Sequence, residues 1–380
     1  MATSLPIIQT QIPPDMIDLG MGDPPLSLLP LDLIRASAQA QLSQNDPSFL
    51  QYGTEQGDGY FRLALAEFLT TGYGFDVKPE TLFVTNGVSQ ALDLICTLFT
   101  KAGDTIFVEE PSYFLALKIF ADHRLNVVSV DTDENGLVLE ALEENLAQYH
   151  PKLLYLIPSF QNPTGHTLSG PRRARLVQFA HEHDFIIAAD EVYQLLSYTR
   201  KPPRSFAAYI NSENIISLGS FSKILAPGLR LGWIQAHPET IKRLVMSGLL
   251  DSGGGLNPFT SAIVRWMIQS GDLEKNVDKL VQIYGSRRNA MDSALQEHLP
   301  ELEYSAPQGG FFFWARLPEM LDATELRKRA RTFRVDFRPG TLFSSRGGLK
   351  DYMRLCCVHY QAEEIEQGIL RLKECLESIN

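Results

Sequence analysis

The 380-residue sequence lacks the features that mark membrane, secreted and nucleic-acid-binding proteins. No stretch reaches the roughly 18 consecutive apolar residues needed to cross a bilayer. The first Lys or Arg is Arg35, so no basic segment of a secretory signal or transit peptide precedes it. The formal net charge of −11 argues against a nucleic-acid surface, which needs clustered Lys and Arg. We therefore expect a cytoplasmic protein that binds neither membrane nor nucleic acid.

Cysteines and the common ligand motifs are also scarce. The cysteines are too few and too poorly spaced for a disulfide framework or a CxxC zinc pair, and we expect buried thiols at Cys96, Cys356, Cys357 and Cys375. We predict no metal site, because metal-ligand spacing is absent around His181, His183 and His359. The chain contains no GxxxxGK[ST] motif, and no GxGxxG opens its first strand-to-helix turn. These absences exclude the familiar nucleotide sites.

The sequence does contain a repeated pattern of a short apolar run, a Gly, Pro or Asn turn, and a segment with helical periodicity. This order predicts parallel strands joined by helices, which is an α/β fold. We predict one seven-stranded, mainly parallel sheet sandwiched by helices, with strands at TLFVTN, DTIFVEE, LNVVSV, KLLYLIP, FIIAAD, NIISLGS and LGWIQA.

The pattern changes near residue 270, where long helical segments surround the short strands GGFFFWARL and YMRLCCVHY. We predict a small α+β domain at 270–380 and a large domain at 46–269. Segment 1–45 contains IPPD and GDPPL, and so many prolines disfavour a core helix. We expect this segment to run over the surface and to pack against the small domain.

Three features at strand ends or turns can together receive a phosphate, because ligands of such sheets bind beyond the carboxyl ends of the strands. Gly87 lies at a strand-to-helix turn, where backbone amides and the helix dipole favour an anion. The sequence GSFSK adds hydroxyls, and Arg230 adds a guanidinium. The predicted set is Gly87, the amides of Val88 and Ser89, Ser220, Ser222 and Arg230. A small phosphorylated cofactor fits this set better than a nucleotide.

Three further residues follow predicted strands. Asp190 ends the apolar run FIIAAD, where a carboxylate is costly unless a cation or donor faces it; a helix N-cap is the alternative. Asn162 lies in an Asn-Pro-Thr-Gly turn, which by itself is mostly structural. Lys223 lies among serines and glycines, directly after the hydroxyls of the predicted anion site.

These residues, in this order, resemble the fold-type I pyridoxal-phosphate enzymes, in particular the class I/II aminotransferases. The matching pattern covers nearly the whole chain: Tyr52, Gly87, Tyr113, NPTG at 162–165, DEVY at 190–193, SFSK at 220–223, Arg230 and Arg354. The segments SFSKILAPGLRLGW and PQGGFFFWARLP are most similar to the branch of 2-aminoadipate and kynurenine aminotransferases. The resemblance implies the PLP-transferase fold and pyridoxal 5′-phosphate as cofactor.

The resemblance also implies roles for the matching residues. Lys223 would form the internal aldimine, and Asp190 would pair with the pyridine nitrogen. Arg354 would bind the substrate α-carboxylate beside Asn162, and Gly22 would let the N-terminal segment close over the substrate. The other implied cofactor contacts are Tyr193 and Asn162 with the phenolic oxygen, Tyr113 with the ring face, and Gly87, Val88, Ser89, Ser220, Ser222, Arg230 and Tyr52 of the partner subunit with the phosphate.

The implied activity is transfer of an amino group from an L-α-amino acid to a 2-oxo acid by a ping-pong mechanism, in a homodimer with active sites at the subunit interface. A β- or γ-lyase is an alternative, because Lys223 and Asp190 serve such reactions too. A non-catalytic ligand-sensing domain, as in transcription regulators built on this fold, is a second alternative. Those regulators carry a winged DNA-binding region ahead of the matching part, which begins close to Met1 here.

The sequence departs from the family pattern in several places. Val88 can offer the phosphate only its backbone amide. The N-terminal segment has no dicarboxylate-selecting arginine, which argues against 2-aminoadipate as the substrate. Gly253 to Gly255 either open room for a bulky side chain, bring backbone to the phosphate, or form a mobile turn. We expect FFFW at 311–314 to be a core strand and RRAR at 172–175 to be a solvated helix face.

Overall fold

The computed structural model of the chain describes residues 8–318 and 321–379. Within these residues the strands are β1 (Ile17–Asp18), β2 (Leu82–Thr85), β3 (Thr105–Glu110), β4 (Asn126–Asp133), β5 (Gly136–Leu137), β6 (Pro151–Leu156), β7 (Ile186–Asp190), β8 (Ile215–Ser220), β9 (Gly232–Ala236), β10 (Glu303–Tyr304), β11 (Phe312–Arg316), β12 (Val335–Asp336), β13 (Arg338–Pro339) and β14 (Tyr352–Cys356). The α-helices are α1 (Leu31–Leu42), α2 (Gly59–Tyr73), α3 (Val88–Phe99), α4 (Phe114–Asp122), α5 (Leu139–Leu146), α6 (Gly170–Glu182), α7 (Pro238–Val245), α8 (Gly248–Gly253), α9 (Pro258–Gln269), α10 (Asp272–His298), α11 (Ala323–Ala330) and α12 (Ala362–Glu377).

The large sheet has the strand order β2-β9-β8-β7-β6-β3-β4-β5. Strands β8, β7, β6, β3 and β4 are parallel to one another, whereas β9 pairs antiparallel with both β8 and β2. All seven predicted strands belong to this sheet, which confirms the mainly parallel α/β fold. The strand count was wrong by one, because the two-residue strand β5 forms an antiparallel pair with the end of β4. A strand this short leaves no periodic pattern in the sequence.

The central strands of the large sheet are apolar and buried along almost their whole length. In β6, β7 and β8 nearly every residue is buried, as expected when helices cover both faces of a parallel sheet. Because the strands are parallel, their carboxyl ends meet at one edge. Asp190 and Ser220, the last residues of β7 and β8, therefore lie at that edge, where ligands of such folds bind.

A second, antiparallel sheet has the order β10-β11-β14-β13, and α10 packs against α12 beside it. The prediction of a core strand at 311–314 is confirmed, because all four residues are buried. The register places Arg354 of β14 opposite Trp314 on one side and Arg338 on the other. The pairing thus presents Arg354 from a fully packed strand rather than from a loop.

The N-terminal segment contacts both parts of the molecule. Strand β1 pairs in parallel with β12, and Leu19 is fully buried. The prediction that this segment runs over the surface is therefore wrong for this part of it. Helix α1 instead packs on α9, where Trp266 Nε1 donates to Gln41 Oε1 at 2.9 Å. From residue 8 to residue 30 the chain forms no α-helix, although Leu26–Leu28 form a 3₁₀ helix, which agrees with the prolines, but the prolines do not keep the chain at the surface.

No helix among the described residues is long and apolar enough to span a membrane. All four cysteines are buried and free, which confirms the prediction of buried thiols.

Candidate active site

Asp190 brings a buried carboxylate to the carboxyl end of β7. Its Oδ2 accepts a hydrogen bond from the hydroxyl of Tyr155 at 2.9 Å, and its Oδ1 has no hydrogen-bond partner among the described residues. Burial raises the pKa of Asp190 to about 6, although the Tyr155 hydrogen bond opposes this shift. No helix begins at Asp190, so the N-cap alternative is wrong. The carboxylate is held in place with one oxygen left to pair with a proton donor.

Lys223 follows β8 and extends into the space between the large sheet and the N-terminal segment. Its Nζ donates to the carbonyl oxygen of Gly22 at 2.8 Å and lies 3.7 Å from Asp23 Oδ1. The Nζ also lies 5.4 Å from the ring centroid of Phe311, and the side chain is only 18% exposed. Burial lowers the pKa of Lys223, and the Asp23 carboxylate partly offsets that change. The local environment therefore favours a neutral amine more than water does.

The predicted anion site is assembled around the first turn of α3. Gly87 precedes the helix with φ of 86°, a left-handed conformation that favours glycine, and a Cβ there would lie 3.0 Å from Arg230 Nη2. The Arg230 guanidinium also donates to the carbonyl oxygen of Asn86 at 3.1 Å. Ser220 Oγ accepts from the amide of Ser222 at 3.0 Å and donates to its hydroxyl at 2.9 Å. The structure thus brings the guanidinium to the amino end of α3, where the amides of Val88 and Ser89 lie in the first turn.

Arg354 and Asn162 come from different sheets and meet in the site. Arg354 Nη1 donates to Asn162 Oδ1 at 2.8 Å, and Nη2 donates to the carbonyl oxygen of Gly20 at 2.6 Å. The guanidinium carbon lies 4.0 Å from the ring centroid of Phe312 and 5.1 Å from that of Phe343. Burial lowers the pKa of Arg354 to about 10, and its Nε has no partner among the described residues. The group remains a cation near neutral pH and keeps donor capacity for a carboxylate.

Two tyrosines belong to the same pocket. Tyr193 is buried after β7, with its ring centroid 6.1 Å from that of Phe312 in an edge arrangement. Tyr113 immediately precedes α4, and burial raises its pKa to about 12, with Asp190 and Asp23 adding to the shift. The charges of Asp190 and Asp23 raise the pKa of Tyr113 further, whereas the charge of Arg354 lowers it. Both phenols are therefore protonated donors near neutral pH.

Gly22 closes the site from the N-terminal side. A Cβ at Gly22 would lie 3.2 Å from the Phe312 ring and 3.7 Å from Arg354 Nη2. A side chain there would therefore crowd the Arg354 guanidinium, the group predicted to bind the substrate. The carbonyl oxygens of Gly20 and Gly22 already bind the Arg354 and Lys223 cations. The segment thus contacts both groups on which the chemistry would depend.

The turn that carries Asn162 is anchored by residues that sequence reasoning missed. Gln161 donates to the carbonyl oxygen of Pro111 at 2.7 Å and accepts from the amide of Thr164 at 2.9 Å. Gln161 Nε2 also lies 3.3 Å from the carboxyl of Glu109, and burial raises the pKa of that carboxyl to about 8. These contacts lie on both sides of Asn162 and fix the turn. The sequence of β3 does not indicate that the Glu109 carboxyl is buried, because its burial depends on strands that are distant in the chain.

Arg173 anchors the same turn from the other side. The prediction of a solvated helix face at 172–175 is wrong for Arg173, which is fully buried in α6. Its guanidinium donates to the carbonyl oxygens of Leu168 at 3.0 Å and Pro158 at 2.7 Å, and to Ser159 Oγ at 2.7 Å. Helical spacing from Arg173 to the buried Leu176 was the available signal for an inward-facing position.

Tyr52 and the glycine-rich stretch form one surface feature. Gly255 donates its amide to the carbonyl oxygen of Gly53 at 3.0 Å, and a Cβ on Gly255 would lie 1.8 Å from the carbonyl oxygen of Thr54. The lack of a side chain at Gly255 therefore permits close pairing of two backbone segments. None of the three alternatives predicted for Gly253 to Gly255 described this pairing. The pairing holds the neighbouring Tyr52, whose side chain is 81% exposed and lies outside the pocket of its own chain.

The residues present fit pyridoxal 5′-phosphate on structural grounds. The unpartnered, buried Oδ1 of Asp190 suits a protonated ring nitrogen, since a buried carboxylate oxygen needs a donor. The guanidinium of Arg230 over Gly87 suits a phosphate at the start of α3. Lys223, which follows β8, brings an amine of lowered pKa to the same edge of the sheet.

The family model described as aminotransferase class I and II matches residues 14–372 of the chain. The chain belongs to this family and is a pyridoxal-phosphate-dependent aminotransferase of fold type I. It is 36% identical over 370 residues to aromatic-amino-acid aminotransferase 1 of Thermococcus litoralis, covering 96% of this chain and 88% of the relative. It is 33% identical to the 2-aminoadipate transaminase of Thermus thermophilus, with 96% and 91% covered.

A solved structure gives the same result. The Pyrococcus horikoshii kynurenine aminotransferase, crystallised in complex with PMP, matches with a TM-score of 0.90 and 33% identity, covering 97% of this chain and 92% of that chain. These similarities confirm the predicted family, cofactor and amino-group transfer, and they do not favour the lyase or ligand-sensing alternatives.

Proposed function

We propose that this aminotransferase takes an aromatic or other large neutral L-amino acid as donor and a 2-oxo acid as acceptor in a ping-pong mechanism. The observation that carries this proposal is the setting of Arg354, whose guanidinium carbon lies 4.0 Å from the ring centroid of Phe312 and 5.1 Å from that of Phe343. The neighbouring cation, Arg338, is already bound by the Asp18 carboxylate at 2.9 and 3.0 Å. Of these two arginines, Arg354 keeps donor capacity for an α-carboxylate, and two aromatic rings lie beside it. The names of the aromatic and kynurenine relatives agree with this substrate class.

Lys223 and Asp190 divide the acid–base work. Bound pyridoxal phosphate supplies an electron sink for the charge that remains when the substrate Cα–H bond breaks. Asp190, through its free Oδ1, holds a proton on the ring nitrogen and thereby keeps that sink effective. Lys223, whose pKa is lowered by burial, would take the proton from Cα as a neutral amine and, as an ammonium, would deliver it to C4′ of the bound cofactor.

The other matching residues bind and orient. Arg354 holds the α-carboxylate with help from the Asn162 contact, and Gly22 leaves room for it. Tyr193 and Asn162 would bind the phenolic oxygen of the cofactor, and Tyr113 would contact its ring. The phosphate would be held by Gly87, Val88, Ser89, Ser220, Ser222 and Arg230, with Tyr52 of the partner subunit.

Replacement of Lys223 by alanine tests the central role. K223A should lose amino transfer by at least about a thousandfold, because it removes the proton-transfer group. Lys242 on α7 is exposed and provides a matched control, so K242A should retain activity. Transfer by K223A at a rate within tenfold of the native enzyme would remove Lys223 from the catalytic role.

A panel of L-amino acids tests the substrate class. Each is mixed with the holoenzyme, and the first half-reaction is followed by the change in visible absorbance. Phenylalanine, tyrosine and tryptophan should give kcat/KM values above those of alanine, aspartate and glutamate, because the Phe312 and Phe343 rings lie beside Arg354 and the neighbouring Arg338 is already paired with Asp18. A preference for aspartate or glutamate over all three aromatic donors would contradict the proposal.

The active unit is a homodimer, and an exposed apolar surface supports it. Helices α1, α2 and α9 pack together, and their outer faces leave several large apolar side chains more than 45% exposed, including Leu31, Leu42, Tyr60, Leu63 and Phe259. Exposed Tyr52 lies close by, on the segment paired with Gly255 next to α9. Contiguous apolar surface of this kind marks an association site, and a two-fold axis places the same patch on both copies.

Complementation between subunits tests both the dimer and Tyr52. The variants Y52A and K223A are unfolded together, refolded as a mixture, and compared with each variant alone. A hybrid dimer contains one site with both Tyr52 and Lys223 only if Tyr52 acts across the interface, so activity should rise in the mixture. No rise in a mixture shown by light scattering to contain dimers would contradict the role of Tyr52.

The domain boundaries and the location remain proposals. We place the large domain at 46–269 and the small domain at 270–380, with α10 beginning at Asp272 in support. A cytoplasmic location agrees with four free, buried thiols, since reducing compartments keep thiols unpaired. Fractionation of cells that express the native protein tests the location.

A further inference from the structure

A carboxylate that none of the assigned roles uses lies beside Lys223. Asp23 Oδ1 is 3.7 Å from Lys223 Nζ, and the Asp23 side chain is 56% exposed. The position is fixed, because the Asp23 carbonyl oxygen accepts from His359 Nδ1 at 2.9 Å and Pro24 follows in the chain. The negative charge of Asp23 raises the pKa of both Lys223 and Tyr113.

The charges around this carboxylate are already largely assigned. Arg354 binds Gly20 and Asn162 and is reserved for the α-carboxylate. Arg338 is paired with Asp18 at 2.9 Å and lies 3.8 Å from Asp336. A second carboxylate on a substrate would therefore meet Asp23 without a free guanidinium from these two arginines to pair with.

We propose that Asp23 is a specificity-determining residue that disfavours amino acids and 2-oxo acids with a second carboxylate and admits neutral or basic side chains. Any substrate whose Cα reaches Lys223 brings its side chain within about one Debye length, roughly 8 Å at physiological salt, of the Asp23 carboxylate. Like charges held this close disfavour binding, and this repulsion sets specificity by excluding competitors. The inference rests on the proposed function, because it assumes that Lys223 and Arg354 orient the substrate.

Isosteric pairs of donors isolate the charge effect from size. The holoenzyme is tested with glutamate and glutamine, and with aspartate and asparagine, and kcat/KM is measured for each. The native enzyme should favour the amide member of each pair. D23N should raise the ratio of acid to amide by about tenfold, because it removes the like charge and leaves the shape unchanged.

Two further measurements do not depend on turnover. Glutarate should bind the D23N holoenzyme about tenfold more tightly than the native holoenzyme, whereas pentanoate, which has one carboxylate, should change by much less. In the native enzyme, added salt should raise the ratio of glutamate to glutamine, because screening weakens the repulsion. The salt measurement needs no variant and stands even if D23N folds poorly. D278N removes the same charge from an exposed position on α10 and should change none of these ratios.

The outcomes separate this inference from the proposed function. If aromatic donors are preferred but D23N leaves the acid-to-amide ratio and glutarate binding unchanged, Asp23 does not set specificity. Equal gains for glutarate and pentanoate would also overturn it, since they would indicate a general loosening of the site. If the ratio moves in D23N but aromatic donors are poor, the aromatic substrate class fails and the role of Asp23 stands.

Discussion

Replacing the buried Arg173 by methionine should lower the free energy of unfolding by about 3–5 kcal/mol, the usual cost of removing one partner of a buried ion pair. Arg173 is fully buried, and burial lowers its pKa to about 10. Its guanidinium donates to main-chain oxygens of Leu168, Pro158 and Arg204 at 2.7–3.0 Å, and Glu191 Oε1 lies 3.8 Å away. Each orphaned acceptor costs about 1 kcal/mol or more, so the three carbonyls alone account for about 3 kcal/mol.

The Glu191 carboxylate sets the upper part of this range. It keeps three donors in the variant, from Ser205 Oγ, Ser217 Oγ and the Phe206 amide, so it is not left wholly unsatisfied. It does lose the only cation that the described residues place within 4 Å of it. We therefore expect the cost of the uncompensated charge to add about 1–2 kcal/mol rather than more.

Urea unfolding followed by fluorescence measures the effect. The midpoint for R173M should fall by about 1 M, because the slope for a chain of this size is about 3 kcal/mol/M or more. R175M, on the partly exposed part of the same helix, is the control and should stay within about 0.5 kcal/mol of the native protein. The double variant R173M/E191Q should lose at least 1 kcal/mol less than the sum of the single losses. A loss below 1 kcal/mol for R173M, or strict additivity, would refute the argument that this buried network anchors the Asn162 turn.

Three further predictions follow from the site. D190N should reduce the pH dependence of the free energy of unfolding of the cofactor-free enzyme between about pH 4 and pH 6.5. In the native protein, burial raises the folded pKa of Asp190 to about 6, above its unfolded value. The native protein therefore loses about 3 kcal/mol of stability as the pH rises through that window. Calorimetric scans at several pH values measure this, and an unchanged slope would contradict it. R354K should raise KM for the donor at least tenfold while cofactor binding measured by absorbance persists, since lysine cannot form the paired hydrogen bonds; a shared loss of cofactor would place Arg354 elsewhere. G255A should weaken cofactor binding, because its Cβ would clash with the Thr54 carbonyl oxygen and disturb the paired segment that carries Tyr52. A Cβ at Gly253 meets nothing within 4 Å, so G253A should behave as the native enzyme. Equal cofactor affinities of the two variants would indicate that the pairing with the Tyr52 segment does not affect cofactor binding.

Sequence patterns alone were sufficient to predict the parallel sheet and the points where its strands end. Apolar runs bounded by turn residues locate β2, β3, β4, β6, β7, β8 and β9, because a strand buried on both faces must be apolar throughout. The order of the motifs that carry Asn162, Asp190 and Lys223 was enough to show a resemblance to the pyridoxal-phosphate enzymes, and that resemblance implied the cofactor. Local patterns carry this information because parallel strands bring their carboxyl ends to one edge.

Which polar groups are buried, and what they contact, could be seen only after the chain was folded. Arg173 looked solvated among neighbouring arginines, yet its environment is set by the loop at 158–168 and by Glu191. Asp23 had no visible role in a proline-rich segment, and its position beside Lys223 depends on the contact with His359 near the other end of the chain. The sequence determines propensity and periodicity, but the burial and pairing of a charge depend on residues that are distant in the chain and adjacent only after folding.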